Sequence, residues 1–582
     1  MTRRLRWLAI LLCLQFSFSL PRVALAQMDT AEVPLAGAIR CRGETVNSIE
    51  IQSNPSFELS GPRIFRKAVL AARKLHSTTN PLIIRRYLAL QVGSKCTELR
   101  RTESERILRA QPYLAEAYVS AYPDSAGGVR IVATTVDEVS LIVGGSVSSK
   151  SPMLRSFKFG EANLLGEAIY TSLEWKKREF FRDEMTARFA DYQLLGRPYQ
   201  LSALATRRDI GHTWEIEASH PFLTDLQRVS WRITAGDENR YRYFTRKHER
   251  PAALYVERRF GDLGGLVRVG PPGNLFLVGG SLSREREETS NRPVVITEGL
   301  ILSDTTTALF DRYSGLKSTR VNALLGYRRV RFLSATAFET LDGAQDVRTG
   351  VQIGGLIGKG ITVFNSDDRD YFVSADMFGG MGSPTAYGAM TVNGEARRNS
   401  MTRRFDGMLA SGRAAFYLKS FTRVTLTPSL EWGAGWRQRV PFQLTFADRE
   451  GGLIGYRNGD EGGSRRLIGK FEGRYYIGRI RKIASIGAAL FAHSGKLWAG
   501  DAPLGVTTPV RQTVGFSLLA AVPPRSQRLW RLDFGYPVAK GGNGKFEIRV
   551  SSQNRTRMFW REPGDVAVSR ERSIPTSIFN WP

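Results

Sequence analysis

The chain has 582 residues, 42% of them hydrophobic and 24% charged, so it is long enough for two to four domains and too apolar to be disordered. Its five histidines and three cysteines exclude a multi-cysteine zinc framework and a disulfide-dense scaffold. Taken alone, the formal net charge of +28 would indicate a nucleic acid or an anionic surface as partner.

Residues 1–26 have the organisation of a secretory signal peptide. Three arginines precede a mostly apolar run from Leu8 to Leu20, which is too short to span a membrane, and Ala24-Leu25-Ala26 forms a small-x-small cleavage pattern. Gln27 follows instead of a cysteine, so a lipoprotein is not supported. Removing the signal peptide takes away four arginines and lowers the net charge to +24. For an exported protein we expect outer-membrane lipid or lipopolysaccharide as the counter-charge, and no nucleic acid.

The mature chain keeps two cysteines, Cys41 at the end of a short N-terminal segment (27–43) and Cys96. A redox pair would need a closer spacing such as C-x-x-C, so an oxidising compartment favours a structural disulfide between them. On the chain-entropy model, such a bridge stabilises the fold by roughly 4 kcal/mol.

Residues 44–140 predict a small α/β domain. Alternation and helical spacing predict a strand, three helices and two further strands. The second helix follows the cap Asn80-Pro81, and the third begins with a capping box. In chain order these elements are Val46–Ile51, Ile64–Leu75, Leu82–Leu90, Thr102–Arg109, Ala115–Ala121 and Gly128–Thr135.

Residues 141–560 alternate between apolar and polar positions, with Gly, Asp, Asn and Arg clusters between the runs. In Trp530–Tyr536 one face is apolar or aromatic and the other carries Arg531, Asp533 and Gly535. Regular charges opposite an apolar face suit a transmembrane β-barrel with a wet lumen, whereas they would be costly in the core of a soluble sandwich, the alternative fold. Sixteen antiparallel strands leave about 26 residues for each strand and its connection.

Several segments together resemble one known family. They are Leu75–Thr79, Ile84–Arg86, Glu103–Arg109, Pro112–Leu114, Asn163–Gly166, His220–Phe222, Leu532–Pro537 and Phe546–Trp560. The chain resembles the BamA/TamA family of outer-membrane assembly proteins, the bacterial surface antigen barrels, in which periplasmic POTRA modules precede a sixteen-strand barrel. The resemblance implies a POTRA-like domain at 44–140, a barrel at 141–560 and a closing strand with Phe546, Ile548, Val550 and Trp560.

The resemblance also implies an inward-folded loop with an apolar-Arg-Gly-aromatic motif, matched here by Leu453, Ile454, Gly455, Tyr456 and Arg457. Ile454 stands where the family has its arginine. Of the two inner-strand acids that pair with that arginine, Glu472 is present and His493 replaces the other. A loop lock would therefore use other contacts. One hypothesis is that Arg457 reaches Glu472; the alternative is that Arg457 is a solvated loop residue.

Two features depart from the family pattern. Only one POTRA-like module fits, and a tail, 561–582, follows the expected terminal aromatic residue, Trp560. The tail could hold a different closing strand, but Pro575 argues against it.

The implied function is assembly, insertion or translocation of unfolded outer-membrane or secreted polypeptides, with periplasmic accessory proteins as further partners. Clients would add to the edge strand Ala115–Ala121 and be templated at the seam strand Phe546–Val550. The alternatives are a two-partner-type secretion transporter, an anion-preferring pore and a lipid transporter. No Gly-x-Ser-x-Gly or His-Glu-x-x-His motif occurs, and Ala539–Lys545 is interpreted as a hairpin turn, so no catalytic, cofactor or metal residues are predicted. The expected location is the bacterial outer membrane, with the POTRA-like domain in the periplasm.

Overall fold

The computed structural model describes residues 37–582 except for 57–76, 148–153, 178–182, 209, 298–299, 364–365, 367–368, 449–450, 457–460, 482, 539–545, 555–558, 573–578 and 580–582. The signal peptide and the helix expected at Ile64–Leu75 lie outside these described residues.

A small α/β domain comes first. Its elements are β1 (Arg42–Asn54), α1 (Pro81–Tyr87), β2 (Lys95–Thr97), α2 (Glu98–Arg109), β3 (Leu114–Pro123) and β4 (Val129–Asp137). The sheet order is β2-β1-β4-β3, with β1 parallel to β4 and β3 antiparallel to β4. Ile83, Val119 and Ile131 belong to its buried core.

The local sequence explains where the two helices begin. Asn80 accepts a hydrogen bond from the Leu82 amide (3.0 Å) and Pro81 takes the first helical position, as predicted. Helix α2 begins at Glu98 under the cap Thr97, so the capping box predicted at Thr102 was wrong. The helix starts earlier because β2 ends at Thr97, the cap residue itself, so that the helix follows the strand without a loop.

The rest of the chain is dominated by strands. They are β5 (Leu141–Val147), β6 (Leu154–Glu161), β7 (Ile169–Lys176), β8 (Glu184–Leu194), β9 (Tyr199–Arg207), β10 (His212–His220), β11 (Val229–Arg246), β12 (Glu249–Val269), β13 (Leu275–Thr289), β14 (Val294–Thr297), β15 (Leu300–Ser303), β16 (Leu316–Thr336), β17 (Ala344–Gly360), β18 (Tyr371–Gly382), β19 (Ala386–Arg398), β20 (Phe405–Phe421), β21 (Val424–Trp436), β22 (Leu444–Thr445), β23 (Gly462–Gly463), β24 (Arg465–Ile480), β25 (Ala484–Trp498), β26 (Arg511–Ala521), β27 (Arg528–Pro537) and β28 (Glu547–Asn554). A one-turn helix, α3 (Gly564–Ala567), follows.

These strands form a closed antiparallel barrel, which confirms the predicted barrel class. Twenty strands make the wall in the described residues, because β13 pairs directly with β16 and the hairpin β14–β15 and the pair β22–β23 lie outside the ring. The prediction of sixteen was wrong. It assumed about 26 residues per strand and connection, whereas two residues join β11 to β12 and two join β20 to β21. We call the end of the barrel beside the α/β domain the domain end, and the opposite end the far end.

The barrel wall carries apolar side chains outside and charged side chains inside. On β13, Phe276, Val278 and Leu282 are exposed, whereas Glu285 and Glu287 are buried and face the lumen. This inverted pattern is stable where the outside is lipid and the inside is polar. In the described part of the chain, no helix is long and apolar enough to cross a membrane.

Candidate functional site

The barrel closes through a short seam between its first and last strands. In the described residues, β28 meets β5 through only two residue pairs, Arg549 with Ser146 and Val550 with Gly145. Eight pairs join β27 to β28 and seven join β5 to β6. Since ladder hydrogen bonds hold neighbouring strands together, the seam is the weakest junction beside these two strands.

The closing strand differs in part from its predicted form. Ile548 and Val550 lie on β28 with their side chains exposed, and Phe546 lies directly before it. Trp560 was expected to end this strand, but β28 ends at Asn554. Phe559, the next described residue, lies in the lumen, where its ring packs edge-on against Phe378 with the centroids 6.0 Å apart.

The α/β domain is fixed to the domain end of the barrel. Arg109 of α2 donates two hydrogen bonds of 2.8 Å to the Asp346 carboxylate at the start of β17. Burial opposes the charge of Arg109, but Asp346 and Glu105 raise its pKa above the ordinary value. Arg106 donates to the Leu223 carbonyl in the turn after β10 (2.7 Å). The domain therefore caps this end of the barrel through buried charged contacts.

Two turns singled out in the sequence belong to this junction. In the turn Asn163–Gly166 between β6 and β7, the Asn163 side chain donates to the Thr79 hydroxyl (2.8 Å). Gly166 has a φ of +76°, and a Cβ there would lie 2.3 Å from the Thr78 carbonyl oxygen, so only glycine fits. His220–Phe222 follows β10, and Phe222 is buried.

A disulfide joins Cys41 to Cys96 within the α/β domain, with their Cα atoms 5.2 Å apart. The bridge connects the start of the domain to β2.

The outer edge of β3, which we predicted to capture clients, already has hydrogen-bond partners at Val119 and Ala121. Val119 receives a 2.7 Å hydrogen bond at its carbonyl from Arg101 and donates its amide to Glu105 (3.0 Å). The next outward carbonyl, that of Ala121, accepts from the Ile39 amide (2.8 Å). A client strand could pair with Val119 and Ala121 only after these partners were displaced, so the expectation of an open edge was wrong at these two residues of Ala115–Ala121.

A long loop, residues 437–464 between β21 and β24, folds into the far end of the lumen; we call it the inward loop. Its motif residues Leu453, Ile454 and Tyr456 are buried. The Gly455 amide donates to the Glu547 carboxylate of β28 (2.8 Å), and Thr513 donates to the Ile454 carbonyl (2.7 Å).

Ile454, the second residue of the loop motif, docks against the barrel wall. It packs over Gly535 of β27, where a Cβ would lie 2.3 Å from its Cγ2 atom. A hydrogen bond of 3.1 Å from the Tyr456 hydroxyl to the Gln512 carbonyl adds a further tie. The loop is thus held by backbone hydrogen bonds and close packing at β26, β27 and β28.

The two predicted inner-strand partners have other roles. Arg531 of β27 donates to both carboxylate oxygens of Glu472, at 3.0 and 2.8 Å, and Arg474 also donates to Glu472. His493 of β25 stacks on Phe491, with the ring centroids 4.8 Å apart. Arg457 lies outside the described residues, so its predicted contact with Glu472 stays a prediction.

The C-terminal segment, residues 559–572 and Phe579, occupies the lumen. Asp565 of α3 accepts hydrogen bonds from Arg466 (2.9 Å) and from the Thr445 amide of the inward loop (3.2 Å). Val566 packs in the apolar cluster that includes Phe446 and Leu453 of that loop. The inward loop and the C-terminal segment therefore form one packed body inside the barrel.

Beyond α3 the segment contacts the wall at β16, β17 and β19. Glu571 bridges Arg320 of β16 and Arg397 of β19, with the Arg397 contact at 3.0 Å. The Phe579 ring is buried in a cluster with Leu277, Leu324 and Leu356. The sequence contained signals for this segment in its acidic and aromatic residues, but the matching arginines lie more than 150 positions earlier in the chain.

Among the described residues, no cluster of three or more His, Cys, Asp or Glu side chains could hold a metal ion.

Comparison with known proteins gives only distant likenesses. No family model and no curated protein matches the chain. Similar solved structures include BamA from Haemophilus ducreyi lacking POTRA domains 1–3, with 11% identity, 88% of this chain and 84% of that chain covered, and a TM-score of 0.34. CdiB from Escherichia coli has 10% identity, coverage of 90% and 92%, and a TM-score of 0.38; CdiB from Acinetobacter baumannii has 10%, coverage of 82% and 74%, and 0.35.

Proposed function

We propose that this chain is an outer-membrane barrel of the BamA/TamA type that inserts or translocates polypeptides. The observation that carries the proposal is the seam, where two residue pairs close a ring of twenty strands in the described residues. The apolar outer wall and charged lumen support a membrane location. The motif-bearing inward loop, docked on the closing strand, adds support from the family resemblance.

The mechanism follows from the chemistry of strand edges. Each ladder hydrogen bond contributes about 0.5–1.5 kcal/mol net, so a two-pair seam opens at a small fraction of the free energy of an eight-pair junction. Opening would expose unpaired backbone groups on β5 and β28, which a client strand could satisfy. The driving force would be strand pairing and apolar burial, without a nucleotide.

We locate the proposed client contact at the seam and not at the α/β domain. Arg101, Glu105 and the Ile39 amide already occupy backbone groups of Val119 and Ala121 on the outer edge of β3, which favours client pairing at β5 and β28. The domain then serves as a fixed cap on the barrel, held by Arg109 and Asp346.

A two-partner-type secretion transporter is the second candidate, because a polypeptide segment without regular strand structure already lies in the lumen. The same filling disfavours a permanently open anion pore. Lipid transport has no specific contact in its favour.

A disulfide across the seam tests the insertion proposal. Gly145→Cys with Val550→Cys places cysteines at directly paired positions of β5 and β28, a separation that a disulfide can bridge. The control, Leu532→Cys with Val550→Cys, ties β28 to β27 and leaves the seam free. Both variants are oxidised, reconstituted in liposomes and given an unfolded outer-membrane protein, whose folding is followed by heat-modifiable gel mobility.

We expect the seam disulfide to abolish accelerated folding of the client and a reductant to restore it, while the control stays active. Equal activity of the oxidised seam variant and the control would overturn the proposal.

A further inference from the structure

We propose that the lumen wall is a binding site for a polypeptide segment that carries an acidic and an aromatic residue, and that the C-terminal segment, residues 559–572 and Phe579, is its resident occupant. This inference rests on the proposed function only in naming a client polypeptide as the competitor for that site. The supporting observations are the contacts of the wall with the main chain, the Glu571 carboxylate and the Phe579 ring of the C-terminal segment.

The wall first recognises the main chain, which every polypeptide offers. Arg258 donates to the carbonyls of Val568 (2.9 Å) and Arg570 (2.7 Å), and Arg242 also donates to Val568 (3.0 Å). Two further carbonyls, those of Phe559 and Phe579, accept from Arg413 (2.7 Å) and Gln352 (2.6 Å).

Acidic side chains of the wall complement these donors. The Arg572 amide donates to Glu285 of β13 (2.9 Å). Irregular backbone buried in protein must find such partners, because an unpaired buried amide or carbonyl destabilises the structure. The wall thus supplies both donors and acceptors to a chain that makes no ladder of its own.

A clamp of two arginines recognises one carboxylate. Arg320 and Arg397 both donate to Glu571, and all three side chains are buried. Asp370 is one nearby wall acid, 3.2 Å from Arg320 and 3.8 Å from Arg397. The other, Glu395, accepts a hydrogen bond from Arg570 of the segment (3.1 Å). Because Glu395 is engaged by Arg570, the two guanidinium groups share Asp370. Glu571 of the occupant then completes the charge balance.

A pocket floored by glycine recognises one aromatic ring. Gly354 of β17 and Gly326 of β16 lie directly opposite each other in the wall. A Cβ at Gly354 would be 2.6 Å from Cγ of Phe579, and one at Gly326 would be 3.1 Å from its Cε1. Because both glycines lack a side chain, the wall leaves the space that the Phe579 ring fills. Phe579 lies eight positions after Glu571 in the sequence.

The experiment separates the occupant from the wall. A protease site inserted after Asn554 lets the full chain fold with its own segment before cleavage, and a second variant lacks residues 559–582. A synthetic peptide of residues 559–582, labelled with a fluorophore, is added to each barrel in nanodiscs. Binding is read by fluorescence anisotropy, and planar bilayers report ion conductance.

We expect the peptide to bind the deleted barrel and to block its conductance, while uncleaved full-length protein binds none. Glu571→Gln or Phe579→Ala in the peptide should weaken binding about tenfold or more, which corresponds to about 1.4 kcal/mol or more. In the barrel, Arg397→Gln should weaken the parent peptide likewise, whereas Arg286→Gln, on the outside of β13, should not.

If the cleaved barrel releases its segment on washing and then binds no peptide, while its heat-modifiable mobility stays native, the inference is overturned. Equal binding of the parent and Glu571→Gln peptides would do the same. The client-folding assay is separate: peptide binding in a barrel that folds no client would refute the proposed function and leave the lumen site intact.

Discussion

Gly455 of the inward loop donates its backbone amide to the carboxylate of Glu547, 92 residues further along the chain and on the strand that closes the barrel. The loop that fills the far end of the lumen is therefore attached to one side of the seam. Any movement of β28 away from β5 must either carry the loop or break this hydrogen bond.

We expect Glu547→Ala to release the inward loop. Hydrogen bonds to charged groups contribute about 1.5–3 kcal/mol, so the undocked population should rise by about 10- to 100-fold. Faster cleavage within residues 437–464 by trypsin would report the release. Glu547→Gln retains an acceptor and is the control; cleavage of both variants at the wild-type rate would show that this contact does not hold the loop.

Glu472 is expected to stabilise the barrel through Arg531 and Arg474. Glu472→Gln leaves two buried guanidinium groups without their shared carboxylate, which should lower the free energy of unfolding by about 3–5 kcal/mol. Urea unfolding in detergent measures the change. The control is Glu288→Gln, because Glu288 pairs with Arg286 on the exposed surface, where such a pair contributes about 0–1 kcal/mol. Equal effects would contradict the assignment.

The fit of Phe579 over Gly354 can be tested by adding a single methyl group at one of two glycines. Gly354→Ala forces a contact with Phe579 and should destabilise the seated segment by about 1–3 kcal/mol. Gly379→Ala on β18 meets nothing within 4 Å and should change little. Conductance in planar bilayers should rise only for Gly354→Ala. Combining Gly354→Ala with Phe579→Gly removes both the ring and the Cβ that the new methyl group would meet, so a fold defect that persists in the double variant would argue against this account.

The junction between α2 and the barrel can be tested by a double-mutant cycle. Arg109→Gln and Asp346→Asn each break the same ion pair, so their effects on docking of the α/β domain should be non-additive by about 1–3 kcal/mol. Hydrogen exchange of the α2 amides reports the docking. Additive effects would show that the two side chains act independently.

The sequence predicted features whose signals are local. Alternation in Trp530–Tyr536 predicted which side chains face the lumen, and Arg531 and Asp533 are buried there as expected. Asn80 and Pro81 predicted the start of α1 because a cap depends on the next two or three residues. The strand number failed because connection lengths in a barrel are not encoded in the strands themselves.

The contacts inside the lumen could not be predicted from local sequence patterns. Arg258 reaches the Val568 carbonyl across 310 positions, and no periodicity connects them. The inward loop was expected from the family resemblance, but Ile454 at the arginine position excludes the expected ion pair. The backbone hydrogen bonds of the loop with Thr513 and Glu547, which hold it instead, are seen only in the structure.

The satisfied edge of β3 has a consequence for the chain before its barrel is complete. An exposed strand edge is a template on which other chains stack into aggregates. Arg101 and Glu105 lie on α2, within twenty positions of Val119, so this protection forms from contacts inside the small domain alone. The α/β domain can thus remain monomeric before the barrel strands that follow it have inserted into a bilayer.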